Sequence, residues 1–346
     1  MNNGIDLPDY LAGIMVLALH AYALFGGADF GGGVWDLMAS GPRRNAQREL
    51  VADAIGPIWE ANHVWLILVV VMCFTCFPAA FAAYAIALHI PISLMLVGVV
   101  LRGSAFTFRT YDSRRDDVQR RWGLVFSVAS LVTPILLGVT LGAALSGAVA
   151  AAQTAPDAWG RFVAPWIGPF PWAIGGFVLA LFAYLAAVYL TIEAPDEALR
   201  EDFRRRALVA ALAVFALGGV ALLMARADAP FLWHGLVETQ RAILVHAMAA
   251  ASAVVAAWAL WRRYYEVARL AAVLEVSSIV WGWAWVQWPF FVPPDRTIDD
   301  LASPRATLRL VAIGLSVGFC VLVPSFWVLF RIFKRNPRPF GDAEGA

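Results

Sequence analysis

Three residue types that could move a proton stand inside otherwise apolar sequence. Asp29 lies in "FGGADFGGG", and Glu60 and His63 lie in "GPIWEANHVWLILVVV" beside Asn62, Trp59 and Trp65. Ionisable groups are expensive at membrane depth, so a chain that keeps them there uses them. A carboxylate held away from water can take up and give back a proton near neutral pH, and an imidazole or carboxamide can orient or relay it. Three chemistries fit these residues: a proton relay, a cation site in a transporter, and a structural pair between helices. Glu275 is a further intramembrane acid, placed by depth alone.

The elements that must carry these residues follow from composition. Of 346 residues 61% are hydrophobic and only 15% charged, and the mean hydropathy is +0.70. A water-facing surface of this size needs more charge than that, so most of this surface faces lipid. The net charge of +1 gives no general attraction to nucleic acid. Nine apolar runs long enough to span are expected at about 10–38, 54–78, 81–101, 122–147, 165–192, 206–225, 242–261, 265–289 and 306–331. The whole of 1–346 then reads as a single membrane domain, all-α because lipid offers no partner for open strand edges. The opening "MNNGIDLPDYLAG" lacks a basic leader and does not read as a cleaved signal peptide.

Alternating the connections puts twenty of the 26 basic residues on one side and six on the other. The positive-inside rule then places the N-terminus outside and the C-terminus in the cytoplasm. On this scheme Arg102 and Arg109 fall in the connection after the third span, and Arg200, Arg204, Arg205 and Arg206 in or at the edge of the connection before the sixth. Asp29 lies roughly 13 Å and Glu60 roughly 10 Å from the basic side at helical rise, and Glu275 roughly 15 Å, as one inner polar layer. Asp36, seven residues after Asp29, sits near the surface and reads as solvated. The glycines around Asp29 permit close helix approach or a local unwinding.

Other motifs are weaker. "CFTC" (Cys73–Cys76) has no turn or strand context for redox or metal chemistry, and buried structural cysteines are expected; no metal site is predicted. His20, His63, His89 and His246 lie within spans, and two histidines from different helices can hold a haem. His63 reads instead as a partner of the acids. Trp281, Trp285 and Trp288 share one helix face, as an interfacial belt or a quinone-stacking surface.

Taken in order, "GGADFGGG", "IGPIWEANHVWLI", "RGSAFTFR", "RWGLVFSVASLVTPILLGVTLG" and "WPFFVPPDRTIDDLAS" resemble subunit II of cytochrome bd-type quinol oxidases. The resemblance runs from about residue 9 to 335. It departs at the family's D-G-F-D element, where Asp29 matches the second aspartate and Gly26 stands at the first. The resemblance implies a bacterial inner-membrane complex that oxidises quinol and reduces oxygen to water. It implies haem b and haem d in a larger partner, subunit I, and a fold of two four-helix bundles plus one helix. Glu60 matches the family's membrane acid on the proton path from the cytoplasm, with Asp29 and His63 alongside. Trp59, Asn62, Trp65, Arg102 and Arg109 match a quinone site or a partner contact. A bound quinone, a small single-span subunit and membrane lipid complete the expected company. A proton- or cation-coupled secondary transporter is the alternative reading, and a passive assembly subunit a third.

Overall fold

The architecture is that of a computed structural model describing residues 6–55, 59–111 and 116–335. In chain order the helices are α1 (Leu7–Leu37), α2 (Arg44–Ile55), α3 (Trp59–Cys76), α4 (Pro78–Ala87), α5 (His89–Tyr111) and α6 (Asp116–Leu145). Three short ones follow, α7 (Ala148–Thr154), α8 (Ala158–Phe162) and α9 (Ala164–Ile167). Then come α10 (Pro169–Glu193), α11 (Glu197–Asp228), α12 (Pro230–Trp233), α13 (Gln240–Trp261), α14 (Tyr265–Gln287), α15 (Ile298–Leu301) and α16 (Arg305–Arg335). Nine helices among the described residues are long and apolar enough to cross a membrane: α1, α3, α5, α6, α10, α11, α13, α14 and α16.

These helices pack in two groups of four. α1, α3, α5 and α6 form one, and α10, α11, α13 and α14 the other. α1 and α6 both meet α10 at the seam, and α16 lies outside against α1 and α3. Burial follows this order: 67% of the most apolar window of α10 is buried, against 6% for α16. Outward faces are apolar over lipid length, as Leu212, Phe215, Ile313, Val317 and Val321 on α11 and α16 illustrate. Water would not tolerate such faces at this density, and lipid does.

Close approach at the seam depends on glycine. A Cβ on Gly31 would run into the carbonyl oxygen of Phe182, and one on Gly33 into Ser130. The glycine-rich segment does not unwind, because α1 is continuous through it. Neighbouring helices use the space that the missing side chains leave.

Several expected boundaries move. The run expected at 81–101 divides at Leu88 into α4, opened by Pro78 in its first turn, and α5, whose apolar part reaches Phe108. Arg102 is therefore inside a spanning helix and not in a connection. The charged segment before the sixth span is the first turns of α11. Glu201 pairs there with Arg204 at 2.7 Å and Arg205 at 3.1 Å, and such spacings keep a charged run helical.

At one end the connection from α14 to α16 folds over the first group. β1 (Phe290–Val292) pairs antiparallel with β2 (Arg296–Thr297). Thr297 and Asp300 then form a capping box at the start of α15. Tyr84 donates to the Phe291 carbonyl at 2.6 Å, and the Ser303 amide to Cys76 at 2.8 Å. The family-like segment "WPFFVPPDRTIDDLAS" thus closes the ends of α3 and α4.

Candidate functional site

The polar cluster begins on α1. Asp29 is eight residues before the end of that helix, about 12 Å along its axis. It is 3% exposed and accepts a hydrogen bond from Asn62 Nδ2 at 2.5 Å. Asn62 is on α3, itself buried, so the two antiparallel helices present a carboxylate and a carboxamide at one level. A buried carboxylate needs further compensation. Arg102 on α5 supplies it: at 1% exposure, it lies within electrostatic reach of Asp29 and Tyr22.

Arg102 is held by three contacts from two other helices. Its Nε donates to Ser130 Oγ at 3.2 Å. Its guanidinium lies over the rings of Phe30 at 4.7 Å and Phe126 at 5.2 Å. Planar guanidinium is suited to this because it is weakly hydrated and stacks. One donor nitrogen, Nη2, is buried without a partner. His63 is in the same state: both ring nitrogens are buried and unpartnered. Its ring sits between Tyr22, Phe30 and Trp59, at centroid distances of 6.1 to 6.2 Å. Trp59 also packs on Phe106, and a Cβ on Gly103 would touch its indole.

Glu60 is not part of this cluster. It occupies the first turn of α3, where the helix dipole favours an anion, and its side chain points outward and is exposed. It makes no hydrogen bond or ion pair among the described residues. Residues two apart on a helix point to different sides, which separates Glu60 from Asn62. Trp65 is partly buried and packs against the apolar cluster that includes Tyr22 and Phe30 of α1 and Phe182 of α10. The side chain of Arg109 lies outside the described residues.

The other intramembrane polar groups go elsewhere. Glu275 is buried against Tyr184 in the second helix group, apart from the Asp29 cluster. Asp36 is not solvated: at 1% exposure it accepts from the Ser127 hydroxyl at 2.9 Å. Cys73 and Cys76 are free thiols, partly and fully buried, while Cys320 is exposed. No group of three or more potential metal ligands occurs among the described residues.

The histidines were tested as haem ligands. His20 accepts from the Trp281 indole at Nδ1 (3.4 Å), so its Nε2 is the donor to Ser277 Oγ at 2.8 Å, and no lone pair is left. His89 donates Nδ1 across the α4–α5 junction to the Ile86 carbonyl, and His246 donates Nδ1 to the Ala242 carbonyl one turn earlier on α13. His63 is wedged among rings. Of the four, His20 has both ring nitrogens engaged, whereas Nε2 of His89 and of His246 keeps its lone pair. The unpartnered nitrogens of Arg102 and His63 lie among the rings of Trp59, Tyr22 and Phe30. Trp281, Trp285 and Trp288 are all part-exposed at the end of α14, and Trp288 donates to Asp9 at 3.0 Å, as an interfacial belt would.

Arg102 as a membrane-buried cation, with Ser130, Tyr22 and Phe126 around it, is the part that sequence reasoning missed. The available signal was that "LRGSAFTF" has no proline and no second charge before Phe108, and that Ser127 and Ser130 share a face of α6.

Comparison with known proteins gives a consistent result. A family model for cytochrome bd terminal oxidase subunit II matches residues 7–333. The putative cytochrome bd menaquinol oxidase subunit II of Bacillus subtilis is 19% identical over 326 residues, 92% of each chain. The cytochrome bd-I ubiquinol oxidase subunit 2 of Escherichia coli is 27% identical over 141 residues, covering 40% of this chain and 35% of that one. In solved structures, a chain of the bd oxidase from Geobacillus thermodenitrificans superposes with a TM-score of 0.71 at 20% identity, over 95% of this chain and 99% of that one.

Proposed function

This chain belongs to the cytochrome bd terminal oxidase subunit II family, and on that premise we propose that it serves a quinol-oxidising, oxygen-reducing complex by delivering protons through Glu60 and bracing the route with the Asp29–Asn62–Arg102 cluster. It is a multi-pass subunit of a bacterial membrane oxidase whose complex uses haem and a subunit I. The relatives are named for menaquinol and ubiquinol alike, and quinol is the substrate class common to both.

In this reading haem b and haem d reside in subunit I, as the family resemblance implies. The N-terminus is outside, and the basic ends of the helices face the cytoplasm, the source of protons for making water. The observation that carries the proposal is the exposure of Glu60 in a lipid-length helix. The span begins at Trp59, so Glu60 stands at its end and not about 10 Å inside, and an unpaired acid there costs less than the roughly 2.5–3.5 kcal/mol of a helix centre. The cost is removed if that face of α3 meets subunit I or a water-filled passage. Glu60 is then a handover point between cytoplasm and partner, while Asp29 is fixed in place by Asn62 and Arg102.

A quinone would be held by Arg102 Nη2 and His63, with Trp59 against its ring. In that position it would supply an aromatic plate that packs the first helix group. Arg109, Trp65 and a small single-span subunit remain candidate contacts at the edge of this region. A secondary transporter is disfavoured, because the unbroken α1 lacks the discontinuity on which such ion sites rely.

The test is Glu60→Gln in the purified complex, reading quinol-driven oxygen consumption per haem. The proposal expects a fall of roughly 10²-fold or more, the usual scale for a missing proton-transfer group, at unchanged haem content. Unchanged turnover would reject Glu60 as the carrier. A loss of assembled complex at normal turnover per haem would assign Glu60 a passive role.

A further inference from the structure

The basic end of the molecule carries a hollow that the oxidase reading does not use. It lies where the turn after α1 meets the start of α2 and the first turns of α11, with a volume of about 340 Å³, and Arg43, Arg205, Arg206, Gln47 and Asp202 line it. The turn is sharp because Gly41 adopts φ +74°. Asp202 is already occupied: Arg43 binds it through Nε at 2.9 Å and Nη2 at 2.6 Å, and Gln47 adds a bond at 2.9 Å.

Arg206 differs from its neighbours. Its guanidinium is stacked over Phe203 at 4.9 Å and Trp35 at 5.5 Å, and Nη2 donates to Gln47 at 2.7 Å. Its Nη1 is buried and has no partner. A pre-positioned arginine with a spare donor lies beside Arg205, whose side chain is 73% exposed and is paired with Glu201 through Nε at 3.1 Å, leaving its Nη donors for a phosphate oxygen. Three arginines line it against Asp202, and with Glu201, which pairs with Arg205 from just outside the lining, an excess of one positive charge remains.

A second observation identifies the source of the phosphate. Below Arg205, at the i+4 and i+7 positions of α11, stand Val209 and Leu212, 67% and 68% exposed. Met38, at the end of α1 on the other rim, is 57% exposed. An apolar stripe thus runs from the arginines into the span, in the direction an acyl chain would take. A soluble phosphate compound would have no use for it.

We propose that this hollow is a binding site for an anionic phospholipid, its phosphodiester on Arg206 and Arg205 and an acyl chain along Val209 and Leu212. Basic recesses between helices at the cytoplasmic surface recognise lipid headgroups in this way. The site ties the α1–α2 turn to α11, bridging the two helix groups at the membrane surface.

The test uses the purified complex in mild detergent, titrated with phosphatidylglycerol or phosphatidylcholine and read by native mass spectrometry. The expected result is one retained phosphatidylglycerol bound about tenfold more tightly than phosphatidylcholine, the scale of a charge-assisted hydrogen bond. Arg205→Gln/Arg206→Gln should reduce that preference about tenfold. Should that variant fail to assemble, Arg43→Gln/Arg205→Gln, which leaves the stacked Arg206 in place, should still reduce it at least threefold. Equal binding of the two lipids, undiminished preference in an assembled variant, or displacement of the lipid by millimolar inorganic phosphate would each overturn the proposal.

Discussion

Replacing Arg102 with methionine removes a cation that is 1% exposed while keeping most of the volume of its stem. The side chain loses its bond to Ser130 and its two ring contacts with Phe30 and Phe126. Hydrogen bonds to charged groups contribute about 1.5–3 kcal/mol in water-soluble proteins. Each cation–π contact adds about 0.5–1 kcal/mol or more when desolvated. The larger effect falls on Asp29, which would lie buried with only Asn62 for company, and breaking a buried pair by deleting one member costs about 3–5 kcal/mol. Within a bilayer the unfolded reference also finds partners, which draws measured values down. We therefore expect a loss of about 3 kcal/mol for Arg102→Met, at the low end of that range. Asp29→Asn should cost less, because Asn62 can still bond to an amide. In the double variant the stranded charge is gone, so the two losses should fail to add by about 1–2 kcal/mol. The assay is graded SDS unfolding of the purified complex, followed by tryptophan fluorescence, on all four members of the cycle. Additivity within about 0.5 kcal/mol would refute the pairing of Arg102 with Asp29.

Other consequences are simpler. Gly31→Ala should force α1 away from Phe182 at a cost of about 1–3 kcal/mol and lower the yield of complex, while Gly13→Ala, with open space at its Cβ, should leave the yield unchanged. Hydrogen bonds from Thr297 hold the Asp300 carboxyl below the usual carboxylate range. A depressed folded value means the cap contributes fully above the unfolded pKa and is lost as pH falls through the folded one. Hydrogen exchange at 298–301 should accelerate only below about pH 4, and Asp300→Ala should remove that acid step. Gly103→Leu should displace Trp59, which a Cβ there already touches, and lower quinol turnover more than haem content.

Much of this arrangement was legible in the sequence, and its limits have physical causes. Nine apolar runs follow from lipid thickness, which acts on each segment separately, so they could be counted without knowing their neighbours. The division at Leu88 could not be read from hydropathy, because the apolar run continues across it; Pro78 and Pro91, each in the first turn of its helix, were the available marks. Arg102 was expected in a connection because an arginine counts against a span. Its burial is made possible by Asp29, Ser130, Phe30 and Phe126, which lie on other helices and are distant in sequence. Asp36 was expected in solvent for a similar reason, since the Ser127 hydroxyl that accompanies it arrives from α6. The pairing of Asp29 with the "WEANHVW" element was readable from matching depths, but which member faces inward was not. Asn62 takes the carboxylate, and Glu60, two residues earlier, takes the opposite face.

The central claim is that this chain works as the second subunit of a haem-bearing quinol oxidase. Its most direct test is a reduced-minus-oxidised spectrum of what co-purifies with the chain, tagged at native expression and extracted in mild detergent. The account predicts a second large membrane polypeptide together with b-type and d-type haem bands. A preparation that is monodisperse but free of haem and partner would contradict it.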